Sequence, residues 1–432
     1  MAASPLGLAQ RLPFYYGWLI VGAQFMAVMA TAGPTTWAFG VFAGPMEAEL
    51  GWGRGTLFGA VTVRMIIGVG LMPFMSRLMD KPRWPALVMV STSVAYAVSL
   101  MLVATVQTVT QYYLVLGVLG GLSAAGASGG LYQAIVPKWF IRKRGRAVAF
   151  GSMGSSLAAL TSPLYVGLFV DSFGWRSAWL LTGVVMFVVM VPIATLVRRQ
   201  PEDVGLLPDG AVVEAPSAAA WAAPSGDVSF TVGQALRSPT TWFLIAATVL
   251  ISGSLQGLGS SWINHYQDSG LSKESARLSV SVYGIFAIGG RIAWGLASER
   301  VHIRHVFLFA CVVTGLPLIL LTNVTSLPMA MLYSALAGLT LGGYVSIQAL
   351  IWADYYGRRN LGAIRAYFAT PSLYAAAAGP WWIAMLHDST GGYQSAYWVM
   401  LGGWLAAAGL VYVARPLRNT EPSSAPKISA GP

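Results

Sequence analysis

The sequence contains little charge and almost no cysteine. Only 9% of its 432 residues are Asp, Glu, Lys or Arg, whereas soluble domains contain roughly 25% charged residues. Its single cysteine, Cys311, excludes an intrachain disulfide framework. The hydrophobic content is 56%, more than a soluble fold can bury. These features exclude an ordinary soluble domain and indicate an integral membrane protein.

Signatures of catalysis and of cofactor binding are also missing from the sequence. It has no glycine-rich phosphate-binding loop and no nucleophile, base and acid at a recognised spacing. The four histidines, His265, His302, His305 and His387, are scattered. Although His302 and His305 are three residues apart, they have no acidic or thiolate partner nearby for a zinc site. We therefore expect no enzyme activity, no metal and no cofactor.

Long apolar runs dominate the rest of the chain. About twelve are long enough to cross a bilayer as helices, which requires about 20 residues. Their bounds are 15–42, 55–79, 84–105, 111–137, 146–170, 176–197, 240–263, 275–298, 304–322, 327–353, 363–386 and 394–414. The first run is too long for a cleavable signal peptide. The sequence thus predicts an all-α integral membrane protein with twelve transmembrane helices.

The positions of lysine and arginine predict the orientation of these helices. With both termini on the cytoplasmic side, twenty of the 26 basic residues lie in cytoplasmic segments and four on the opposite side, as the positive-inside rule requires. The remaining two, Arg64 and Arg291, lie within apolar runs. The net charge of +11 is therefore explained by membrane topology, and we expect no nucleic-acid partner.

The chain divides into two similar halves. Residues 199–239 are rich in Pro, Ala, Ser and Gly and predict a cytoplasmic linker, with a short interfacial helix near 230–237. It separates six-helix bundles at 1–198 and 240–418, and the tail at 419–432 is predicted to be disordered. Gly145, Pro163 and Asp171 recur as Gly362, Pro380 and Asp388 at a shift of about 217 residues. This repeat predicts two pseudo-symmetric bundles with a site between them.

Several segments together resemble one transporter family. These are "YYGWLIV", "ELGWGRGTL", "VPKWFIRKRGRAVAFGSMGSS", "GWRSAW" and "GGRIAWG". They are similar to segments of the monocarboxylate and oxalate–formate branch of the major facilitator superfamily. The resemblance covers essentially the whole chain and implies a secondary transporter of small organic anions that works by alternating access. It also implies a gating loop in "SRLMDKPRW", where Arg77, Asp80 and Arg83 tie helix ends together, although an ordinary surface-charge role is open for them.

Arg291 is the leading candidate for binding the substrate. A guanidinium offers five donors in a fork that matches a carboxylate and stays charged at accessible pH. All fifteen acids fall in loops or near the ends of apolar runs, the nearest being Asp171, Glu299, Asp354 and Asp388. The resemblance gives the arginine of the "GGR" segment the role of carboxylate anchor. The alternative is a buried ion pair.

Arg64 is the second basic residue within an apolar run, and its role is open. If it faces the same site as Arg291, the pair suits a dicarboxylate; otherwise it can contact backbone carbonyls or extend towards an interface. The oxalate–formate type also has a basic residue in its eleventh helix, but this chain reads "YFATPSLYAAAAGP" there. That difference weakens an assignment to oxalate.

Other polar and aromatic residues on helical faces are candidate substrate contacts, and each has ordinary packing or interfacial anchoring as its alternative. They are Gln24, Tyr132, Gln133, Gln256, Asn264, His265, Tyr344, Gln348, Tyr367 and Tyr374. Pro34, Pro163, Pro371 and Pro380 can break their helices at the depth of the cavity and free backbone groups for ligand or water.

Energy coupling and substrate stay open. The sequence is compatible with anion exchange, with facilitated passage, or with symport in which a proton travels on the substrate or on His265. The alternative function is an exporter of amphipathic or aromatic compounds, because "GSMGSSLAALTSP" is loosely similar to the antiporter motif of such exporters. We expect a monomer in a bacterial inner membrane, surrounded by lipid, with a small organic anion and possible protons as its only partners.

Overall fold

The computed structural model describes residues 13–79, 84–127, 129–140, 143–210, 230, 232–356 and 361–414, and within them the chain forms helices, turns and loops without strands. Twelve long helices account for most of it. In the first half these are α1 at 17–50, α2 Arg54–Met79, α3 Trp84–Val103, α4 at 109–127 and 129–139, α5 at 144–173 and α6 at 175–196. In the second half they are α7 Pro239–Asp268, α8 Lys273–Arg300, α9 Ile303–Thr322, α10 Leu327–Tyr356, α11 Leu361–Thr390 and α12 Gln394–Val413. A short helix, Val232–Arg237, precedes α7 in the segment where one was predicted.

Eight stretches of the described residues are long and apolar enough to cross a membrane, and one of them, Arg146–Leu196, contains both α5 and α6. The helices α8, α10 and α11 have 28 to 30 residues each, which corresponds to about 42 to 45 Å at 1.5 Å per residue. That exceeds the roughly 30 Å of a bilayer core. Several helices run further than the apolar pattern predicted, because polar residues continue the same helix: α1 to Leu50, α7 to Asp268 and α11 to Thr390.

The connections define two ends of the molecule. The odd-loop end holds the connections after α1, α3, α5, α7, α9 and α11, and the even-loop end holds those after the even-numbered helices. At the odd-loop end, Gly174 has φ 75° and separates α5 from α6, while Gly391 has φ 77° and follows α11. A left-handed conformation favours glycine because a Cβ would be strained there. These two glycines are 217 positions apart, so the internal repeat coincides with the same turn in both halves.

The two halves meet through symmetry-related helix pairs. Between them, α2 packs against α11, and α5 packs against α8. Helix α1 is distorted by a π-helical segment, Gly33–Trp37, that contains Pro34, as expected from this proline. Pro163 in α5 and Pro371 and Pro380 in α11, by contrast, lie inside helices that continue through them. These three prolines do not break their helices in this structure.

Candidate functional site

Arg291 is positioned by glycines that let α8 approach its neighbours closely. A Cβ on Gly290 would lie 2.4 Å from the Leu339 carbonyl oxygen, and one on Gly284 would lie 2.6 Å from the backbone nitrogen of Leu160. Since real Cβ atoms do not come this close, α8 can contact α10 on one side and α5 on the other only because these positions are glycine. Gly290, directly before Arg291, therefore has a packing role that sets the reach of the guanidinium, whereas a Cβ on Gly289 would meet only the Leu339 side chain at 3.9 Å.

The guanidinium of Arg291 bridges the two halves through backbone oxygens. Its Nε donates to Gly342 O at 3.2 Å, and its Nη1 donates to Ser152 O at 2.9 Å. No carboxylate among the described side chains lies within ion-pair distance of it. Two of the nearest acids are engaged at the odd-loop end, Asp171 with Arg277 and Asp388 with the backbone nitrogen of Gly55. This half-buried positive charge thus has dipolar partners and, within the described part of the chain, no counter-ion.

Gln24 in α1 reaches the same short segment of α5. Its amide occupies the space left by Gly151, where a Cβ would lie 2.4 Å from the amide carbon. The side chain is fully buried, and neither Nε2 nor Oε1 has a hydrogen-bond partner among the residues that the structure describes. Leaving buried polar groups unpaired costs about 1–3 kcal/mol each. This amide, next to the serine whose carbonyl Arg291 binds, is therefore suited to a polar guest.

Tyr132 in α4 has the same property. Its side chain is fully buried, and its hydroxyl has no partner among the side chains and backbone described. The segment of α4 that carries it, Gly129–Trp139, packs against α1. Gln24, Tyr132, Ser152 and Arg291 lie seven to nine residues from the even-loop ends of their helices, which is about 10 to 14 Å at 1.5 Å per residue. They form one polar layer, which we call the Arg291 layer.

Tyr283 is a member of this region that the sequence did not single out. It lies eight residues before Arg291 on α8, on the same helical face, and close enough to interact with it electrostatically. Its ring centroid is 4.9 Å from that of Trp37 in the π-helical segment of α1. The spacing of eight residues between an aromatic residue and an intramembrane arginine is the signal that would have identified it.

Arg64 contacts the interior of the first half. Its Nη1 donates to Tyr96 Oη in a long bond of 3.4 Å, and its Nε has no partner among the described residues. Its Cδ lies 3.4 Å from the position that a Cβ on Gly120 would occupy. Tyr96 Oη in turn donates to Thr31 O at 3.5 Å. Every one of these contacts belongs to the same half, so Arg64 does not share a contact with Arg291.

Gln256 and Asn264 lie where α7 meets α1. Gln256 Nε2 donates to Thr36 Oγ1 at 3.1 Å. Asn264 Oδ1 is buried without a partner, 2.4 Å from the position that a Cβ on Gly40 would occupy. These two residues therefore belong to the contact between the halves, towards the odd-loop end.

The other predicted contacts are dispersed. His265 Nε2 lies 2.8 Å from Leu321 O, and its ring packs edge-on against Tyr397. Tyr344 packs between Phe307 and Trp404 inside the second half.

Tyr374 is 41% exposed, and its hydroxyl lies 3.6 Å from where a Cβ on Gly70 would be, at the contact of α11 with α2. Gln348 is half-buried. Asp80 and Arg83 lie outside the described residues, as do the side chains of Arg77, Gln133 and Tyr367.

The odd-loop end carries a second concentration of polar contacts between the halves. Arg277 of α8 forms a two-bond ion pair with Asp171 of α5, in which Nη2 lies 3.0 Å from Oδ1. Arg54 at the start of α2 pairs with Asp268 at the end of α7. The first residue of α8 at this end, Lys273, lies about 27 Å from Arg291 along the helix at 1.5 Å per residue. In this conformation the halves are joined at the odd-loop end. Among the described residues, no group of three or more His, Cys, Asp or Glu side chains is arranged to hold a metal.

Comparison with known proteins identifies the family. The model of the Major Facilitator Superfamily matches residues 18–272 and 252–431. The chain belongs to the major facilitator superfamily. It is accordingly a multi-pass membrane transporter and not an enzyme, with the twelve-helix, two-bundle fold of that family.

Relatives and solved structures agree with this assignment. The chain is 24% identical to the oxalate:formate antiporter of Oxalobacter formigenes over 370 residues, which is 83% of each chain. It is 26% identical to monocarboxylate transporter 12 of Rattus norvegicus over 310 residues, or 66% of this chain and 62% of that one. The nucleoside transporter NupG superposes with a TM-score of 0.69 at 12% identity, covering 93% of this chain and 99% of NupG. An inward-facing, occupied bacterial homologue of the lysosomal transporter Spinster gives 0.67 at 14% identity, covering 92% and 96%.

Proposed function

We propose that this transporter carries small carboxylates and that Arg291 binds the carboxylate. The observation that carries the proposal is a guanidinium between the halves whose two hydrogen bonds go to backbone oxygens, Gly342 O and Ser152 O. A carboxylate offers stronger, charge-assisted bonds to the same fork. The oxalate:formate antiporter and monocarboxylate transporter among the relatives support a small organic anion as the cargo.

Gln24 and Tyr132 complete the binding site in this proposal. Both carry buried polar atoms without partners at the depth of Arg291, so a guest with a second polar group would relieve them. Gln24 comes from the first half and Arg291 from the second, so the anion binds between two bodies that rock against each other. We propose that the odd-loop end faces outwards and the even-loop end faces the cytoplasm, because the basic residues concentrate at the latter.

Arg64 does not belong to the binding site in this proposal. Its contacts lie within the first half, at Tyr96 and Gly120, so a cargo with one carboxylate suffices. Movement of the anion by exchange or together with a proton is part of the same proposal. No carboxylate among the described side chains contacts Arg291, so a coupled proton would travel on the substrate or on His265.

The test is transport by the purified protein in proteoliposomes. We would measure uptake of radiolabelled formate, oxalate and a panel of larger mono- and dicarboxylates, with Arg291→Gln, Arg291→Lys and Arg300→Gln compared with the wild type. Arg300 ends the same helix and is exposed, so it is the matched control. Loss of a buried charge-assisted pair costs about 2–5 kcal/mol, which corresponds to at least a roughly thirtyfold loss of apparent affinity. Lysine should recover only part of it, because it cannot form the fork.

Two results would contradict the proposal. One is unchanged carboxylate uptake in Arg291→Gln. The other is stabilisation of the protein, in thermal-shift measurements, by neutral amphipathic or aromatic compounds with no response to any carboxylate, which would favour the exporter alternative.

A further inference from the structure

His387 lies in a cluster of charged residues that joins the halves at the odd-loop end. We call it the Arg54 cluster: it consists of Glu47 and Arg54 from the first half, and Asp268, His387 and Asp388 from the second. His387 is three residues from the end of α11 and outside the apolar run at 363–386. The sequence alone gave this histidine no partner.

Arg54 is the element that crosses between the halves. Its Nε donates to Glu47 Oε2 at 2.9 Å, and its Nη2 donates to Asp268 Oδ1 at 2.9 Å, with a further bond from Nη1 to the other oxygen of Asp268. The guanidinium also lies 5.6 Å from the centroid of the Tyr393 ring. With its side chain 12% exposed, Arg54 is fastened mainly by Asp268 when this end is closed.

The imidazole of His387 contacts the same guanidinium. Nε2 lies 3.2 Å from Arg54 Nη1, and Nδ1 lies 3.2 Å from Asp388 Oδ1. Arginine can only donate hydrogen bonds, so in the contact with Arg54 Nε2 accepts, and the proton of a neutral ring then sits on Nδ1 and is donated to Asp388; a proton on Nε2 would instead be donated to Asp268 Oδ2, 3.4 Å away. A second proton on Nε2 would remove the acceptor and oppose an N–H to the guanidinium. Of the contacts in the closed geometry, the one with Arg54 therefore favours neutral imidazole, whereas Asp268 and Asp388 favour the protonated ring.

The remaining groups around the imidazole belong to its own half. Asp268 Oδ2 lies 3.4 Å from Nε2, and the Tyr393 ring centroid is 4.4 Å away; His265 interacts with it at longer range. Hydrogen bonding to Asp268, with a smaller contribution from Asp388, raises the pKa of His387 above its ordinary value. Burial and the charge of Arg54 lower the pKa and offset part of this rise.

Separation of the halves changes only part of this environment. It takes Arg54 away from His387 and from Asp268, and it removes the Gly55 N–H that donates to Asp388 Oδ2 at 2.7 Å. The charge of Arg54 and the N–H of Gly55 both disfavour a protonated His387 ring. The pKa of His387 is therefore higher in the open state than in the closed state, so protons favour opening.

We propose that His387 is a proton-binding site that controls the odd-loop gate: a proton on Nε2 competes with Arg54 for Asp268 and releases the first half. Acid on the side faced by this end then opens the transporter to its cargo. The link to uptake rests on the proposed function, whereas the gate itself does not. Regulation by pH needs no titratable carboxylate near Arg291 in this arrangement.

Distance measurements across the gate test this without any substrate. Spin labels at Ala48→Cys and Thr325→Cys, both exposed at the odd-loop end in opposite halves, would be introduced into a Cys311→Ser background in nanodiscs. Double electron–electron resonance would then record the open and closed populations between pH 5 and pH 8. We expect the ratio of open to closed protein to rise on acidification, by about tenfold for each pKa unit that opening adds to His387.

Three variants separate this site from other titrating groups. His387→Gln keeps a donor and an acceptor but cannot be charged, so it should stay closed at every pH. His387→Lys should stay open at every pH, and it keeps the test decisive if the glutamine variant folds poorly. His305→Gln, an exposed histidine at the even-loop end, should retain the wild-type response.

The outcomes are distinct for the two proposals. A wild-type pH response in His387→Gln, or a closed His387→Lys, would overturn the gate proposal and leave carboxylate binding at Arg291 intact. Conversely, Arg291→Gln should lose uptake while its gate keeps the pH response of the wild type. A pH-independent wild type would also overturn the proposal.

Discussion

Asp171 gives the sharpest test of how the odd-loop end is held closed. Its carboxylate forms two bonds across the halves to Arg277, whose side chain is 7% exposed while that of Asp171 is 40% exposed. Changing Asp171 to Asn removes the charge and leaves the guanidinium buried and poorly paired in the closed state. In the open state the same guanidinium reaches water, so the penalty applies to closure alone.

The magnitude follows from the burial of the two partners. Breaking a fully buried pair costs about 3–5 kcal/mol. Because Asp171 is partly exposed, we take a lower value of about 2 kcal/mol, which corresponds to a roughly thirtyfold shift of the closed-to-open ratio. The gate-distance measurement described for His387 records this shift directly, at pH 8, where the histidine contributes least to opening.

Controls for Asp171→Asn are available in the same chain. Asp203→Asn breaks the pair of Asp203 with Arg199, which lies within one segment, and should leave the gate distances unchanged. Exchange of the charges, with Asp171→Arg and Arg277→Asp together, should restore part of the closed population. If Asp171→Asn leaves the closed population as in the wild type while its thermal stability is unchanged, the ion pair does not hold the gate and the reasoning is refuted.

The remaining predictions concern the Arg291 layer. Gly284→Leu should abolish the close packing of α8 on α5, because even a Cβ would lie 2.6 Å from the Leu160 nitrogen. We expect uptake to fall at least tenfold while the protein still inserts into the membrane. Uptake at the wild-type level would contradict the packing role of Gly284. Gln24→Leu should raise the melting temperature of the empty protein by about 2 °C or more, because it removes two buried atoms that lack partners among the described residues, at about 1 kcal/mol or more each, while weakening carboxylate binding. A lower melting temperature with unchanged binding would show that Gln24 has a packing role instead.

Much of the fold was predictable from the chain alone, because a bilayer constrains it strongly. A helix must satisfy its own backbone in lipid, so apolar runs of spanning length identify α1 to α12 to within a few residues. The ends were underestimated at Leu50, Asp268 and Thr390, since hydropathy reports where lipid contact stops and not where backbone hydrogen bonding stops. Those extra turns carry four members of the Arg54 cluster at the odd-loop end, Glu47, Asp268, His387 and Asp388.

The candidate site was predictable only in part. An arginine without a nearby acid in the sequence is a strong signal, and Arg291 lacks a carboxylate partner among the described side chains. A regular helix also predicts which residues share its face. It does not predict which face meets the other half, so Gln24 and Tyr344 were equal candidates, although Gln24 lies beside Ser152 and Tyr344 packs between Phe307 and Trp404.

The sequence by itself determined that this chain crosses a membrane repeatedly, in two related halves, with a permanent charge inside. These properties depend on composition and on spacing along one helix. Only the tertiary structure decided that Arg64 turns into its own half while Arg291 bridges both, and that Arg54, Asp268 and His387, distant in sequence, share one cluster. The physical reason is that ion pairs and shared hydrogen bonds depend on distances between helices. Those distances are set by the close contacts at glycines and by the pairing of the two bundles.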